Sequence, residues 1–362
     1  MGRALVRLIF SSRKRHSNVE KIKLKFLAVS DSTQMIVAQR SKIGIPDADI
    51  SKLVHHKETG QSLSTYTNSS KATASIGANE LERILEIARE LANYDRIVIV
   101  DTTSSNTSKL LQNALENFDC AIVSANKVPF ADTSTEMFHA LSHSSSRFES
   151  TVGAGLPVIS TIDRLLRGGD DVVRISGSLS GTLGYIMSKI EDGKTCFSDA
   201  VLEAKKRGFT EPDPRDDLSG TDVARKALIM ARRIGVNASM RDVTIEPLFP
   251  VEMKKLSLDQ FMKRLSELDD DMSARVVDAN QRKGSLRYVA TLDLRPAKPV
   301  LRVGLEVVPR DSSLALLRGT ENMVCIATKF YNITQPLVIR GAGAGVEVTA
   351  SGVLSDIIDL VI

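Results

Sequence analysis

Cysteine is scarce in this chain. Only Cys120, Cys196 and Cys325 occur among 362 residues. Their wide spacing gives neither a zinc-ligand pattern nor a disulfide framework, and it points to a reducing compartment. No apolar run approaches the ~20 residues of a membrane helix. Residues 1–10 do not show the charged, apolar and small-residue zones of a secretion leader, so the expected location is cytoplasmic. The formal net charge of +4 is too small to argue for a nucleic-acid partner. The basic run Arg13, Lys14, Arg15 reads as a solvated loop. What remains is 42% hydrophobic and 25% charged, the composition of an ordinary globular protein. The length suits two domains.

Residues 207–235, RGFTEPDPRDDLSGTDVARKALIMARRIG, carry the densest signal. Glu211, Asp213, Asp216 and Asp217 lie in one loop with Pro212 and Pro214. Each proline fixes its own φ and keeps the preceding residue out of helix, so the carboxylates are held in a preset arrangement. Ser219 or Gly220 can start a helix that Gly235 ends. Val223, Ala227, Met230 and Ile234 recur at helical spacing and predict a buried stripe. Asp222 and Lys226 stand four apart and meet beside that stripe. On most helices such a pair is a surface ion pair worth about a few tenths of a kcal/mol. The acidic loop before it favours a site instead, because lysines held among apolar groups and carboxylates are suited to proton transfer.

The N-terminal half has the order of a dinucleotide-binding fold with its opening absent. Residues 1–13 read as a helix with Leu5, Leu8 and Ile9 on one face and Gly2 at its mouth. Residues 23–30 read as a strand ending in Asp31. The usual order is strand, Gly-x-Gly-x-x-Gly, helix, strand, acid. Here the last glycine, the helix, the second strand and the acid are present, but the first strand and two glycines are not. Residues 41–78 read as a polar excursion with little regular structure, and 80–93 as an amphipathic helix. Residues 95–101 read as a buried strand emptying into Thr102, Thr103, Ser104 and Ser105. That turn is either a cofactor-facing end of a parallel sheet or a capped helix start. A helix at 109–117 and a strand at 120–124 lead to Asn126 and Lys127, and Lys127 can hold a cofactor phosphate or a substrate carboxylate. His139 and His143 stand four apart on a helix at 133–145 but have no third ligand, so they read as surface residues.

A strand at 147–152 precedes GAGLPV. This is a tight strand-to-helix turn, or, with Glu149, a ring of oxygens for a hard cation. Beyond residue 156 the pattern becomes α+β. Helices are expected at 157–166, 185–191 and 258–281, with another capped by Ser198 and ending at Gly208. Strands are expected at 171–179, 285–294, 300–308 and 323–330. A short strand at 337–340 meets GAGAG and a helix at 346–360. Those glycines are either a flexible turn or bare backbone against a ligand, and Gly345 can face a phosphate at the helix mouth.

The segment EPDPRDDLSGTDVARK resembles the signature of homoserine dehydrogenases, and the resemblance extends from Gly2 to the last helix. It implies an α/β fold: a Rossmann-like domain over 1–155 and 337–362, first strand missing, and an α+β catalytic and dimerisation domain over 156–336. The expectation is a chain that lacks its N-terminal strand, as a truncated isoform or through a wrong start codon. The implied monofunctional activity is interconversion of homoserine and L-aspartate 4-semialdehyde with NADP or NAD, in threonine, methionine and isoleucine biosynthesis. The resemblance makes Lys226 the proton donor and Asp222 its partner. It assigns Glu211, Asp217 and Thr182 to the substrate, and Gly2, Asp31, Thr103, Lys127 and Gly345 to the cofactor. E-x-T-V-G-A-G-L-P implies a monovalent cation, sodium, on Glu149 and the carbonyls of Val152, Ala154 and Leu156. Ser150 departs from the commoner residue there without touching the oxygen ligands. A homodimer is implied, with no membrane or nucleic-acid partner. The competing expectation is a catalytically silent paralogue or dimerising partner. Asp31 suits a free 2′-hydroxyl, hence NAD, while Lys127 and the polar loop offer the alternative of accepting the 2′-phosphate of NADP.

Overall fold

The computed structural model describes residues 1–39, 44–67, 73–77 and 96–361. The helix expected at 80–93 lies outside the described residues. The chain opens with helix α1 (Gly2–Arg15). Leu5 and Ile9 are its buried stripe, four apart, and they pack on the last helix of the chain.

Next come strands β1 (Ala28–Ser30) and β2 (Gln34–Ala38), helix α2 (Asp47–Glu58) and strand β3 (Thr73–Gly77). The three strands form an antiparallel sheet in the order β1-β2-β3. Two expectations are corrected here. Residues 23–30 give a strand of only three residues, and within the expected excursion 44–67 and 73–77 are more regular than expected. Helix α2 has few apolar residues, so its period is faint. Ile50 and Leu53 nonetheless bury against Ile36, Ile45 and Leu63. Asp47 and Asp49 in its first turn and His55, His56 and Lys57 in its last suit the helix dipole.

A second sheet is parallel: β4 (Val98–Asp101), β5 (Ala121–Ser124) and β6 (Ser146–Arg147), in that order. Helices α3 (Ser108–Phe118), α4 (Val128–Ala131) and α5 (Thr135–Leu141) connect them. The strand expected over 147–152 is corrected to the two-residue β6 and a 3₁₀ turn, Glu149–Thr151. The chain turns there because the Glu149 N–H donates to Asp356 Oδ2 (3.0 Å) rather than to a neighbouring strand.

The remainder builds a six-stranded sheet. Its members are β7 (Val172–Ser178), β8 (Val243–Ile245), β9 (Gly284–Asp293), β10 (Val300–Pro309), β11 (Glu321–Thr328) and β12 (Leu337–Ala342), in the order β12-β11-β7-β9-β10-β8. Only the β10–β8 pair is parallel. Helices α6 (Val158–Arg167), α7 (Gly181–Ile190), α8 (Phe197–Lys206), α9 (Pro214–Leu218), α10 (Thr221–Arg233), α11 (Leu258–Arg264) and α12 (Asp269–Gln281) accompany it. Strand β9 is buried along nearly its whole length. Leu286, Tyr288, Ala290 and Leu292 face the helices, while Val289 faces a second cluster with Leu314, Met323 and Cys325. Alternate residues thus serve two cores. Strand β12 is an edge strand of this sheet, and from it the chain returns through residues 343–345 to helix α13 (Val346–Val361), which packs on α1.

Candidate active site

Helix α10 positions the catalytic candidates. It starts after Gly220, which has φ +72°, and a Cβ there would overlap the Tyr288 hydroxyl. Glycine is therefore required both by conformation and by space. One face of α10 is buried through Val223, Ala227 and Met230, as their spacing predicts. Asp222 in the first turn then meets Lys226 one turn on, with Nζ to Oδ2 at 2.7 Å. The Lys226 side chain is 11% exposed, and its Nζ also donates to the Leu179 carbonyl at 2.7 Å. Leu179 lies in the short loop between β7 and α7, so the ammonium is tied to the sheet as well as to its own helix.

Asp222 has a second cation, Lys127 Nζ at 3.3 Å. Sequence reasoning gave Lys127 to the cofactor; the structure brings it to the Asp222–Lys226 pair from the end of β5. Partial burial of Asp222, whose side chain is 45% exposed, opposes ionisation. The two ammoniums outweigh it and hold the carboxyl well below the usual carboxylate range.

The acidic loop approaches from the other side. Asp217 Oδ1 accepts from the Thr182 hydroxyl (2.8 Å) and Oδ2 from the Glu211 N–H (2.8 Å). Thr182 sits in the first turn of α7, which Ser180 caps. Burial pushes the Asp217 carboxyl up, and the charges of Glu211 and Asp222 push it further, against the Thr182 and Glu211 hydrogen bonds. Glu211 itself is exposed. Asp213, by contrast, caps α9 and pairs with Arg215, so it is occupied within the loop. The charges of Glu211 and Asp222 thus reach the Asp217 carboxyl, and of the three only Asp222 is balanced by lysines among the described residues.

The carboxyl ends of β4 and β5 meet around Asp101. Its buried carboxylate accepts from the Thr103 N–H (2.9 Å), the Thr107 hydroxyl (2.5 Å) and Asn126 Nδ2 (3.0 Å). Asn126 also reaches the Thr103 hydroxyl and the Ser105 carbonyl. Sequence reasoning singled out Thr103 but missed Asp101 and Asn126, which hold it; a strand-ending Asp before small hydroxyl residues was the available signal. Gly2 lies close by, since a Cβ there would be 3.5 Å from the Thr102 hydroxyl. Gly345, with φ +127°, is exposed before α13.

Asp31 is more committed than expected. It accepts from the amides of Thr33 (2.9 Å) and Leu63 (2.8 Å) and pairs with Lys57 (2.8 Å). Burial opposes its ionisation, but these donors hold it far below the usual range.

Glu149 is buried, and its two oxygens accept from the amides of Ile159 (2.6 Å) and Ser160 (2.8 Å) at the start of α6. Burial pushes its carboxyl up against those bonds. The following loop has left-handed backbone at Gly153 and Ala154. The Leu156 carbonyl accepts from Val158 N–H (2.8 Å). His139 and His143 belong to no cluster of three or more potential metal-binding side chains among the described residues. No helix among them is long and apolar enough to cross a membrane.

Residues 157–358 match the family profile described as homoserine dehydrogenase. A homoserine dehydrogenase of Emericella nidulans is 39% identical over 297 residues, 76% of this chain and 78% of the relative. The chloroplastic bifunctional aspartokinase/homoserine dehydrogenase 1 of Zea mays is 47% identical over 214 residues, 59% of this chain, which spans only 23% of that relative. A hyperthermophilic archaeal homoserine dehydrogenase solved in complex with NADPH has a TM-score of 0.70 at 24% identity, covering 99% of this chain and 94% of that one, a likeness of fold. A Candida auris protein described as of unknown function has a TM-score of 0.80 at 29% identity, with coverage of 99% and 94%.

Proposed function

The chain belongs to the homoserine dehydrogenase family, and from that premise we propose that it interconverts homoserine and L-aspartate 4-semialdehyde in the biosynthesis of threonine, methionine and isoleucine. The observation that carries this reading is a buried lysine paired with Asp222, whose charge in turn reaches the Asp217 carboxyl of the acidic loop that leads into the same helix. The acids suit the ammonium group that homoserine carries, and the lysine suits the oxygen being oxidised.

When bound, a nicotinamide cofactor, NADP or NAD, supplies the hydride chemistry. The residues of the chain manage position and one proton. Lys226 gives a proton to the aldehyde oxygen during reduction and takes one back during oxidation. Asp222 holds the Lys226 ammonium in place, and Lys127 shares that carboxylate while reaching toward the cofactor side. Glu211 and Asp217 bind the substrate ammonium, and Thr182 lines the pocket by fixing Asp217. Thr103, Gly2 and Gly345 offer small groups and backbone to the dinucleotide at the carboxyl end of the parallel strands. Asp31 takes the ribose role only in exchange for donors it already has.

The turn at 149–156 suits a monovalent cation such as sodium in its oxygen donors: Glu149 and the carbonyls of Val152, Ala154 and Leu156. Carboxylate and carbonyl oxygens each have more than one lone pair, so the amide bonds at Glu149 and Leu156 do not use up the set. A homodimer, the two-domain division near residues 155 and 337, and a cytoplasmic setting complete the proposal.

The test is steady-state homoserine oxidation with each nicotinamide cofactor. Lys226→Ala is expected to lower turnover ~10²–10⁴-fold with little change in the Michaelis constants. Glu211→Ala is expected mainly to raise the homoserine Michaelis constant. A Lys226→Ala enzyme with normal turnover and weakened substrate binding would make the lysine a binding group and reject this mechanism.

A further inference from the structure

Asn322 is fully buried on β11, opposite Gly341 of β12. Its neighbours along the strand, Met323 and Val324, are apolar and buried. Its Nδ2 donates across the strand end to the Gly343 carbonyl at 3.3 Å, while its Oδ1 has no hydrogen-bond partner among the described residues. A buried amide with one bond and one bare acceptor is a poor choice for packing alone. An apolar side chain of similar size would fill the space without stranding an acceptor.

The spacing on the other side is equally particular. A Cβ at Gly343 would overlap the Asn322 side chain. Backbone and amide are therefore in direct contact where the chain leaves the six-stranded sheet. Two residues later Gly345 has φ +127° and opens α13. The same end of β11 lies against α7, because a Cβ at Gly181 would come within 3.1 Å of the Thr320 carbonyl. Thr182 follows directly, in the first turn of that helix. Asn322 thus stands between the turn offered to the cofactor and the helix offered to the substrate.

We propose that Asn322 is a positioning residue that pins the 343–345 turn to the sheet and so sets where Gly345 meets the cofactor. The proposal rests on the homoserine dehydrogenase reading for the identity of the ligand, but the pin itself does not. Nδ2 is assigned as the donor because its partner is a carbonyl, which can only accept.

The test uses the full chain with Asn322→Leu, which fills a similar volume but cannot donate, beside Asn322→Ala. Hydrogen exchange at the Thr349 amide, which donates to the Gly345 carbonyl at 3.0 Å, is expected to quicken about tenfold in both, with β9 unchanged. The Michaelis constant for the nicotinamide cofactor is expected to rise about tenfold in both, with that for homoserine within about twofold. Should Asn322→Leu match the unaltered chain in exchange and cofactor constant, the residue is packing and the proposal fails. Both constants rising together would also overturn it. If Asn322→Leu does not fold, Gly343→Ala displaces the same contact from the other side and must give the same split. An unaltered chain without homoserine turnover, yet with quickened exchange in the variants, would keep the pin and remove the homoserine reading instead.

Discussion

The two sides of the site are held by different means. On the sheet side, Lys226 and Asp222 ride on a helix whose other residues are core: Val223, Ala224, Ala227, Leu228, Ile229, Met230 and Ala231 are all buried. Packing sets the position of the ammonium, and two further bonds aim it. On the parallel-strand side almost nothing chemical sits on a helix face. Thr103, Thr107 and Asn126 are loop residues gathered on one buried carboxylate, Asp101. Asp31 plays the same part for the turn after β1. A group that must meet one atom is fixed by a close-packed core, whose geometry is over-determined. A backbone that must follow an extended ligand is gathered around carboxylates, which accept several donors at once.

The contrast predicts unequal damage. Asp101→Ala would strip the shared acceptor from Thr103, Thr107 and Asn126 together. We expect it to cost roughly 2–4 kcal/mol in chemical denaturation, as buried donors lose their partner. A loss below ~1 kcal/mol would mean that the loops stand without the carboxylate, and the contrast would collapse.

A smaller effect is expected at Asp222. Asp222→Asn keeps the helix and an oxygen near Lys226, so turnover should fall about tenfold, less than for Lys226→Ala, with melting temperature preserved. Equal losses in the two variants would place Asp222 in the chemistry itself rather than behind it.

The smallest effect tests the seam between the sides. Burial, helped by the Glu149 carboxylate, pushes the Asp356 carboxyl up to about 8. An aspartate in the unfolded chain titrates near ~3.9. Between those values the folded chain keeps a proton that the unfolded chain has released. Stability is therefore full below the lower value, falls as pH rises through the window, and levels off above the upper one. Asp356→Asn, which cannot ionise, should gain about 1 kcal/mol on the original chain between pH 5 and 8, a figure discounted for local relaxation on charging. Identical urea midpoints for both proteins across that window would sink the assignment.

The same division explains how much could be read from residues alone. Helix α10 was legible because Val223, Ala227 and Met230 repeat at 3.6 and Gly220 and Gly235 mark its ends. Strands β9 and β10 were expected at 285–294 and 300–308, and they appear within one residue of expectation. The hairpin at β1 and β2 and helix α2 were not legible, because β1 is only three residues long and α2 has few apolar residues to repeat. The short β6 and the loops beside it were not, because their order comes from hydrogen bonds between distant residues. Asp101 and Asn126 are 25 positions apart, and Glu149 and Asp356 are 207 apart. No periodicity announces such pairs. Asp31 shows the converse: its place after a strand was legible, but its engagement with Lys57 and Leu63 was not. Asn322 gave no signal, since a lone Asn before an apolar strand reads as a turn residue.

The chain passes between the two sides twice, once after β6 and once after β12, and the two passages touch. Ser150 donates its hydroxyl to the Thr349 carbonyl at 3.2 Å. A Cβ at Gly155 would come within 2.5 Å of the Val348 carbonyl, and one at Gly352 within 3.0 Å of the Gly155 Cα. The seam is also packed away from that knot: Phe130 and Phe138 share one core with Val223 and Ala227, and buried Arg232 donates to the carbonyls of Phe130, Ala131 and Thr133, so the two sides are locked together rather than hinged. Gly155→Val would wedge the knot. The melting temperature of that variant should then fall clearly below that of the original chain, because the added side chain has no space between two packed backbones.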